Sequence, residues 1–288
     1  LKRMKNWALS ILGLVMAMGM MNCQSQTQEV PEKTAADILG NAEYRAISYG
    51  GYREKSRDIQ PTIAELKEDL KILQAMGIKI LRTYNVQLME APNLLKAISE
   101  LKNEDSSFVK VAQEYPDIVK VIAVGNEAMV NWAASYFVRP NVILKWVNHL
   151  QDLKSKGELP SNLWITSSDD FASWGGGDAS YHTEDLEALY QAVDYISMHT
   201  YPYHNTHYNP DFWKESNSLS KLSELERVDA AMLRARNFAK AQYDSVTSYM
   251  KSIGVNKPIH IGETGWATVS DGFYGPEGSK ATDEYKQA

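Results

Sequence analysis

An α/β fold built around a parallel sheet, of the barrel kind, is what this sequence predicts, and three observations carry the prediction. Six β-rich stretches alternate with helical ones between Arg45 and Gly262, and such alternation implies parallel strands joined by helical crossovers. The strongest of them, Ile118 to Val124, is continuous and β-branched, as a strand buried on both faces is. Each stretch ends in a polar and aromatic cluster, in turn SYGGY, RTYN, GNEAM, SSDDF, MHTYPYH and GETGW. In a parallel barrel the segments that follow the strands line the active face. The length of 288 residues accommodates one such barrel of ~250 residues.

The elements follow in order. Arg45 to Tyr49 is a short strand that ends at Gly50-Gly51. Thr62 and Glu65 have capping-box spacing, Ile63, Leu66, Leu70 and Leu73 follow at helical intervals, and Gly77 stops the helix. Ile78 to Tyr84 is the second strand, and Met89 to Leu101 is a helix. Ile118 to Val124 is a strand, Val142 to Lys154 a helix, Leu163 to Ser167 a strand and Leu186 to Val193 a helix. Tyr195 to His199 is a strand, Ala230 to Ile253 a long helix with apolar stripes, and Pro258 to Gly262 the last strand.

Composition excludes several classes. Hydrophobic residues make up 44% and charged residues 23%, which fits neither a disordered chain nor a multi-span membrane protein. Thirty basic against 36 acidic residues leave a net charge of −6, so no basic surplus exists to hold a phosphate backbone and no nucleic-acid partner is expected. The one Cys supports neither an internal disulfide nor a multi-thiolate metal site.

That Cys sits in an N-terminal address. Lys2, Arg3 and Lys5 precede an apolar run from Trp7 to Met21, shorter than the ~20 residues of a membrane span. Cys23 follows it, and the pattern resembles a bacterial lipoprotein signal, with Asn22 where a small residue is usual. The expected organisation is a signal peptide over 1–23 ending at the lipidated Cys23, a polar tether over 24–40, and a catalytic barrel over 41–288. The expected location is the cell envelope, at the periplasmic face or the surface of a Gram-negative-type outer membrane. Contact with the membrane is through the lipid anchor only.

Two glutamates carry the chemistry. Glu127 follows VIAVGN and Glu263 follows PIHIG, so both side chains are expected at one mouth. Glycoside cleavage needs such a pair: one carboxyl protonated to assist the leaving oxygen, the other ionised to attack the anomeric carbon or activate water. The pair accounts for hydrolysis without a metal, and no cofactor is expected. The histidines 199, 204 and 207 are therefore not assigned to zinc.

VIAVGNEAM and PIHIGETGWAT resemble the two signature strands of glycoside hydrolase family 17, while ISYGGY and RTYN resemble its first two strands. The match runs from about Ile47 to Thr268. It implies a (β/α)8 TIM barrel and a retaining endo-β-1,3-glucanase acting on laminarin-type glucan. The resemblance makes Glu127 the acid/base and Glu263 the nucleophile. It places Asn126 on the sugar 2-hydroxyl, and Tyr201, after the strand ending at His199, as a donor to Glu263.

The remaining candidates are binding residues. Trp266, Trp132, Trp174, Phe171, Tyr52, Tyr84 and Tyr203 lie in the expected mouth loops, where aromatic faces stack on pyranose rings or simply pack. Trp266, three residues past Glu263, is favoured among them. Tyr49, Tyr84 and Trp132 are also assigned to substrate, as is His199, with a sugar or a carboxylate as its partner. Asp169 and Asp170 are read as sugar contacts or as caps of the next turn. Gly175-Gly176-Gly177 is read as a flexible lip.

Two parts of the family barrel are not visible. No apolar strand occurs between Tyr84 and Ile118, and none follows Glu263 before Ala288. The expectation is a barrel incomplete in this chain, lacking the third strand and truncated before the eighth, with four exposed edges. Two other functions fit the same residues: a β-1,3-glucanosyltransferase, and a non-catalytic glucan-binding lipoprotein.

Overall fold

The computed structural model describes residues 33–84, 88–102, 117–206, 212 and 218–266. Among these residues six parallel strands alternate with helices. In chain order they are α1 (Ala35–Ile38), β1 (Arg45–Ser48), α2 (Ile63–Ala75), β2 (Ile78–Arg82), α3 (Glu90–Lys102) and β3 (Val121–Asn126). There follow α4 (Pro140–Ser155), β4 (Trp164–Asp170), α5 (Glu184–Ala192), β5 (Ile196–His199), α6 (Glu224–Ser252) and β6 (Ile259–Glu263).

The strands form two sheets, β1-β2 and β3-β4-β5-β6, each in sequential order. All pairings are parallel, with Ser48 opposite Arg82, Ile122 opposite Ile165, Ser168 opposite Ser197 and His199 opposite Glu263. Sequential parallel order is what barrel crossovers produce. Among the described residues the two sheets do not pair with each other and no closed barrel is formed. The outer sides of β1, β2, β3 and β6 have no strand partner among the described residues. The expected gap at the third strand falls on 85–87 and 103–116, and the expected truncation on 267–288, both outside the described residues; between them, residues 90–102 are helical.

Local chemistry starts the helices. Thr62 accepts from the Glu65 amide, and the Glu65 carboxylate accepts from the Thr62 amide, forming the expected capping box. Ser223 and Glu226 build the same device at the start of α6. That helix therefore begins at Glu224, ahead of the expected Ala230. Thr183 caps α5 on the Leu186 amide, and three acidic residues in the first turn face the positive end of the helix dipole. Pro140 opens α4 with its φ already helical.

The main core lies between the four-stranded sheet and α4, α5 and α6. Ile143, Val147, Ile165, Leu186, Leu189, Ile196, Met198, Val246 and Met250 meet there. Strand β5 is buried throughout and β4 nearly so, whereas β3, whose apolar run suggests burial on both faces, is only partly buried because one side of it is an edge among the described residues. A smaller core of Tyr49, Leu66, Leu94 and Ala97 sits under α2 and α3.

Two expectations are corrected here. Part of the stretch expected as tether is folded: Thr34 and Asp37 cap α1, and Gly40 lies so close to β6 that a Cβ there would be 3.0 Å from the His260 ring. The three glycines from 175 to 177 are a packing device and not a flexible lip. A buried turn over Ala172–Gly176 presses against α6, and a Cβ on Gly175 would lie 2.2 Å from Tyr249. Gly175 also has φ +78, a left-handed backbone that suits glycine. Trp174 inside this turn is fully buried and donates its indole N–H to the Ser197 carbonyl. It is a core residue and not a mouth aromatic.

Gly175→Ala combines overpacking with a strained φ, so a loss of about 3 kcal/mol and a fall in Tm of roughly 6–12 °C are expected. Calorimetric melting of the two proteins checks it, and an unchanged Tm would mean that α6 can move away from the turn.

Candidate active site

The strand ends converge. Glu127 is the first residue past β3, Ser168 and Asp170 lie at the end of β4, His199 ends β5, Glu263 ends β6 and Arg82 ends β2. Glu127 has φ +48, a left-handed conformation rare outside glycine. Such strain persists only where the surroundings fix it. The Glu127 amide donates to the Ser168 carbonyl at 2.9 Å, and the Met129 amide donates to the buried Asp169 carboxylate at 2.8 Å. Both bonds anchor the turn to β4 and turn the Glu127 side chain toward β5.

One carboxylate oxygen from each glutamate and a ring nitrogen of His199 all lie within 4.8 Å of one another. His199 Nδ1 is 3.0 Å from Glu127 Oε1 and 3.4 Å from Glu263 Oε2. Its Nε2 is 2.8 Å from Ser168 Oγ and 3.4 Å from Arg82 Nη2. A guanidinium only donates, so Nε2 is the accepting nitrogen and Nδ1 carries the hydrogen toward the carboxylates. His199 is fully buried. Of the two partners expected for it, it takes the carboxylate; burial removes it from the surface a sugar would touch.

Glu263 is the most heavily held group. Arg82 pairs with its Oε1 through Nη1, and Tyr201 donates to its Oε2 at 2.8 Å, the bond expected of that tyrosine. Burial on its own would raise the Glu263 carboxyl. Donation from Arg82, the nearby His199 and donation from Tyr201 outweigh it and hold the group below the usual carboxylate range. Burial and the Glu263 charge push the Tyr201 hydroxyl upward, so it stays a donor. Arg82 is the functional residue that sequence reading missed. Its Nη2 also donates to Asn126 Oδ1 at 2.5 Å and to Ser168 Oγ at 3.3 Å, and its guanidinium lies 4.6 Å from the centre of the Tyr84 ring. Arg82 thus ties β2 to β3, β4 and β6. The available signal was an arginine closing a mostly apolar strand, at the end that carries the polar and aromatic cluster.

A cavity of about 790 Å³ opens beside these groups. Glu127, Asp170, Tyr201, His204 and Asn205 contribute polar groups to its wall, and Trp132, Tyr136, Phe171, Tyr203 and Trp266 aromatic ones. Trp266 lies 5.1 Å from Tyr203, the rings tilted by 30°. Trp132 is 62% exposed, an aromatic face open to solvent. Asn126 is bonded to Arg82 beside the glutamates. Tyr84 lies over Arg82, and neither Tyr84 nor Tyr52 lines the cavity.

Tyr49 departs from its expected role. It is buried in the smaller core, and its hydroxyl donates to Asp69 on α2 at 2.7 Å, because the strand end turns that side chain outward toward the helices. His204 is on the cavity wall, while His207 and Cys23 lie outside the described residues. Among the described residues, Glu127, His199 and Glu263 are the one group with metal-ligand spacing. The guanidinium of Arg82 already supplies positive charge there and would repel a metal cation.

No protein-family model and no curated protein sequence matches the chain. Solved structures do. An endo-laminarinase from Formosa Hel1_33_131 is 61% identical, over 88% of this chain and 74% of that one, with a TM-score of 0.82. CJP38, a β-1,3-glucanase and allergen of Cryptomeria japonica pollen, is 16% identical over 78% of this chain and 76% of that one, with a TM-score of 0.54. At that identity the second likeness is one of fold. The first extends through the sequence of nearly nine-tenths of the chain, and with it this protein belongs to glycoside hydrolase family 17, alongside that endo-laminarinase.

Proposed function

We propose that this protein is a retaining glycoside hydrolase that cleaves β-1,3-glucan of the laminarin type within the chain. The observation that carries the reading is the placement of two glutamates with oxygens within 4.8 Å of each other at the end of a parallel sheet. Retaining glycosidases hold their carboxyl groups about 5–5.5 Å apart, and inverting ones leave about 6.5–9.5 Å for an intervening water. The close spacing supports direct attack.

In the first step a Glu263 oxygen attacks the anomeric carbon while Glu127 gives its proton to the departing glycosidic oxygen. The carbon–oxygen bond to the leaving sugar breaks and a glycosyl ester on Glu263 forms. In the second step Glu127, now ionised, takes a proton from water. The water oxygen attacks the same carbon, and the Glu263 carboxylate leaves. Two inversions give retention. Arg82, His199 and Tyr201 keep Glu263 ionised before attack and receive its charge again at the end. The aromatic wall suits the apolar faces of glucosyl rings.

The test is release of reducing ends from laminarin, with the first-formed anomer followed by proton NMR. Early appearance of the β-anomer is expected. An α-anomer would refute double displacement, and no release by the folded protein would refute hydrolysis.

Export and lipid anchoring at the cell envelope belong to the same proposal and are supported by the N-terminal pattern ending at Cys23. In a bacterial host the protein is expected to incorporate labelled palmitate and to sediment with membranes. Cys23→Ala should abolish the label and release the protein. Equal labelling of both would refute the anchor.

A further inference from the structure

The two adjacent aspartates at the end of β4 are buried to a similar degree and differ in what they bond. Asp169 accepts from the Met129 amide at 2.8 Å and from the Asp170 amide at 3.0 Å. Those donors account for its burial. Asp170 accepts the Ala172 amide on Oδ1 at 2.9 Å. Its other oxygen has no donor and the carboxyl no cation among the described residues, although the residue is only 3% exposed. Buried carboxyls are ordinarily paired, and one that is not is costly to keep.

Its position gives a reason to keep it. Alternation along β4 puts Asp170 on the same face as Ser168, which holds His199 and Arg82. Asp170 stands one step nearer the mouth and lines the cavity together with Glu127, Phe171 and Trp132. Of the two glutamates, Glu127 is the one whose charge it feels. Burial, with the charges of Glu127 and Asp169 added, pushes the Asp170 carboxyl up to about 7. Near neutral pH it is therefore both a donor and an acceptor, which matches a sugar hydroxyl, itself both, better than it matches a cation.

We propose that Asp170 binds a hydroxyl of the glucosyl unit on the leaving-group side of the scissile bond, making it a specificity-determining residue for a sugar over a non-sugar leaving group. The inference rests on the glucanase reading and deepens it. It assigns a polar anchor to the side of the cavity where Glu127 meets the departing oxygen. The aromatic wall there can stack on a ring but cannot select its hydroxyls.

The experiment compares two substrates on wild type, Asp170→Ala and Asp170→Asn. Laminarihexaose places a glucosyl unit on the leaving side. An aryl β-laminaribioside places an aromatic ring there and offers no hydroxyl. The ratio of kcat/KM for the hexaose to that for the aryl substrate is expected to fall by about 10-fold or more in Asp170→Ala, the size of a hydrogen bond to an ionisable group. A smaller fall is expected in Asp170→Asn, whose amide can still bond a hydroxyl. Equal losses on the two substrates would mean a merely structural role and overturn the inference, as would an unchanged ratio. If Asp170→Ala fails to fold, Asp170→Asn, which is isosteric, decides by the same ratio. A folded wild type that cleaves neither substrate would instead sink the glucanase reading, and this inference with it.

Discussion

Replacing Glu263 by Gln is expected to lower laminarin hydrolysis by at least about 10⁴-fold, the scale on which removing a nucleophile acts. The amide keeps the shape, and its carbonyl can still accept from Arg82, so the fold should survive. It cannot form the glycosyl ester, because an uncharged amide is a poor nucleophile. Since Glu263 is only 8% exposed and held by three partners, water has little room to take over its role. The measurement is reducing-end release by both proteins at equal concentration, with near-UV circular dichroism to establish that the variant is folded. Binding of laminarihexaose by the variant should persist, since the aromatic wall is untouched. Residual activity above a few per cent in contamination-free protein would mean that Glu263 is not the nucleophile. Loss of binding together with loss of activity would mean that the substitution disturbed the cavity and not the chemistry.

The residues that make this prediction possible were legible in the sequence because they close strands rich in β-branched residues. A continuous β-branched run followed by Gly-Asn-Glu, and another followed by Gly-Glu, put each carboxylate at a strand end. The parallel alternation then brings those ends together. The strands themselves were found by their β-branched composition and their alternation with helices and not by burial, for β4 and β5 are buried while β1 is exposed throughout and β3 has no fully buried residue. Their ends were less legible. Strand β4 continues past the expected end at Ser167 through Ser168, Asp169 and Asp170, polar residues that read as a loop. They remain in the strand because the tertiary structure supplies their partners: His199 for Ser168 and the Met129 amide for Asp169. Helix α6 begins with Glu-Leu-Glu-Arg, whose weak apolar stripe hides it, although Ser223 and Glu226 carried the capping signature.

What composition suggested most strongly was also where it misled. Three consecutive glycines read as mobility, yet close packing requires them: Gly175 and Gly176 face Tyr249, Ser245 and Val246 from a helix remote in sequence, and Gly177 faces Ala172 of the same turn. Tyr49 and Trp174 read as sugar platforms because aromatic residues near strand ends are shared by cores and mouths alike. Only the direction of the side chain separates the two, and it turns one toward Asp69 and the other toward the Ser197 carbonyl. Arg82 was missed for a related reason. Its role lies in a contact with Glu263 across most of the chain, and no local pattern encodes which strand end will face it.

Arg82→Met is expected to reduce kcat/KM by about 10²–10³-fold, since breaking a largely buried ion pair by removing one partner costs about 3–5 kcal/mol, less here because Arg82 is partly exposed. Methionine keeps the length and apolar stem of the side chain and removes the fork that joins Glu263, Asn126 and Ser168. The sign of the pH effect follows from the folded-state shift. Glu263 is held below its ordinary value against its own burial, with Arg82 the largest of the lowering influences. Without Arg82 the burial dominates and its carboxyl rises. The nucleophile is then lost to protonation at higher pH than in wild type, so the acidic limb of the kcat/KM profile must move to higher pH. The same shift bears on stability: a carboxylate with a depressed folded-state value stabilises the fold above its unfolded value and loses that contribution as pH falls. Wild type should therefore be more resistant to acid than Arg82→Met, with the difference in Tm fading below the carboxylate range. Arg82→Lys separates charge from geometry. A lysine restores the positive charge beside Glu263 but cannot also hold Asn126 and Ser168 from one planar group. It should recover most of the acidic limb and only part of the rate. If Arg82→Met leaves the acidic limb in place, Tyr201 and His199 suffice to keep Glu263 ionised, and the contribution of Arg82 reduces to tying β2 to the ends of the other strands.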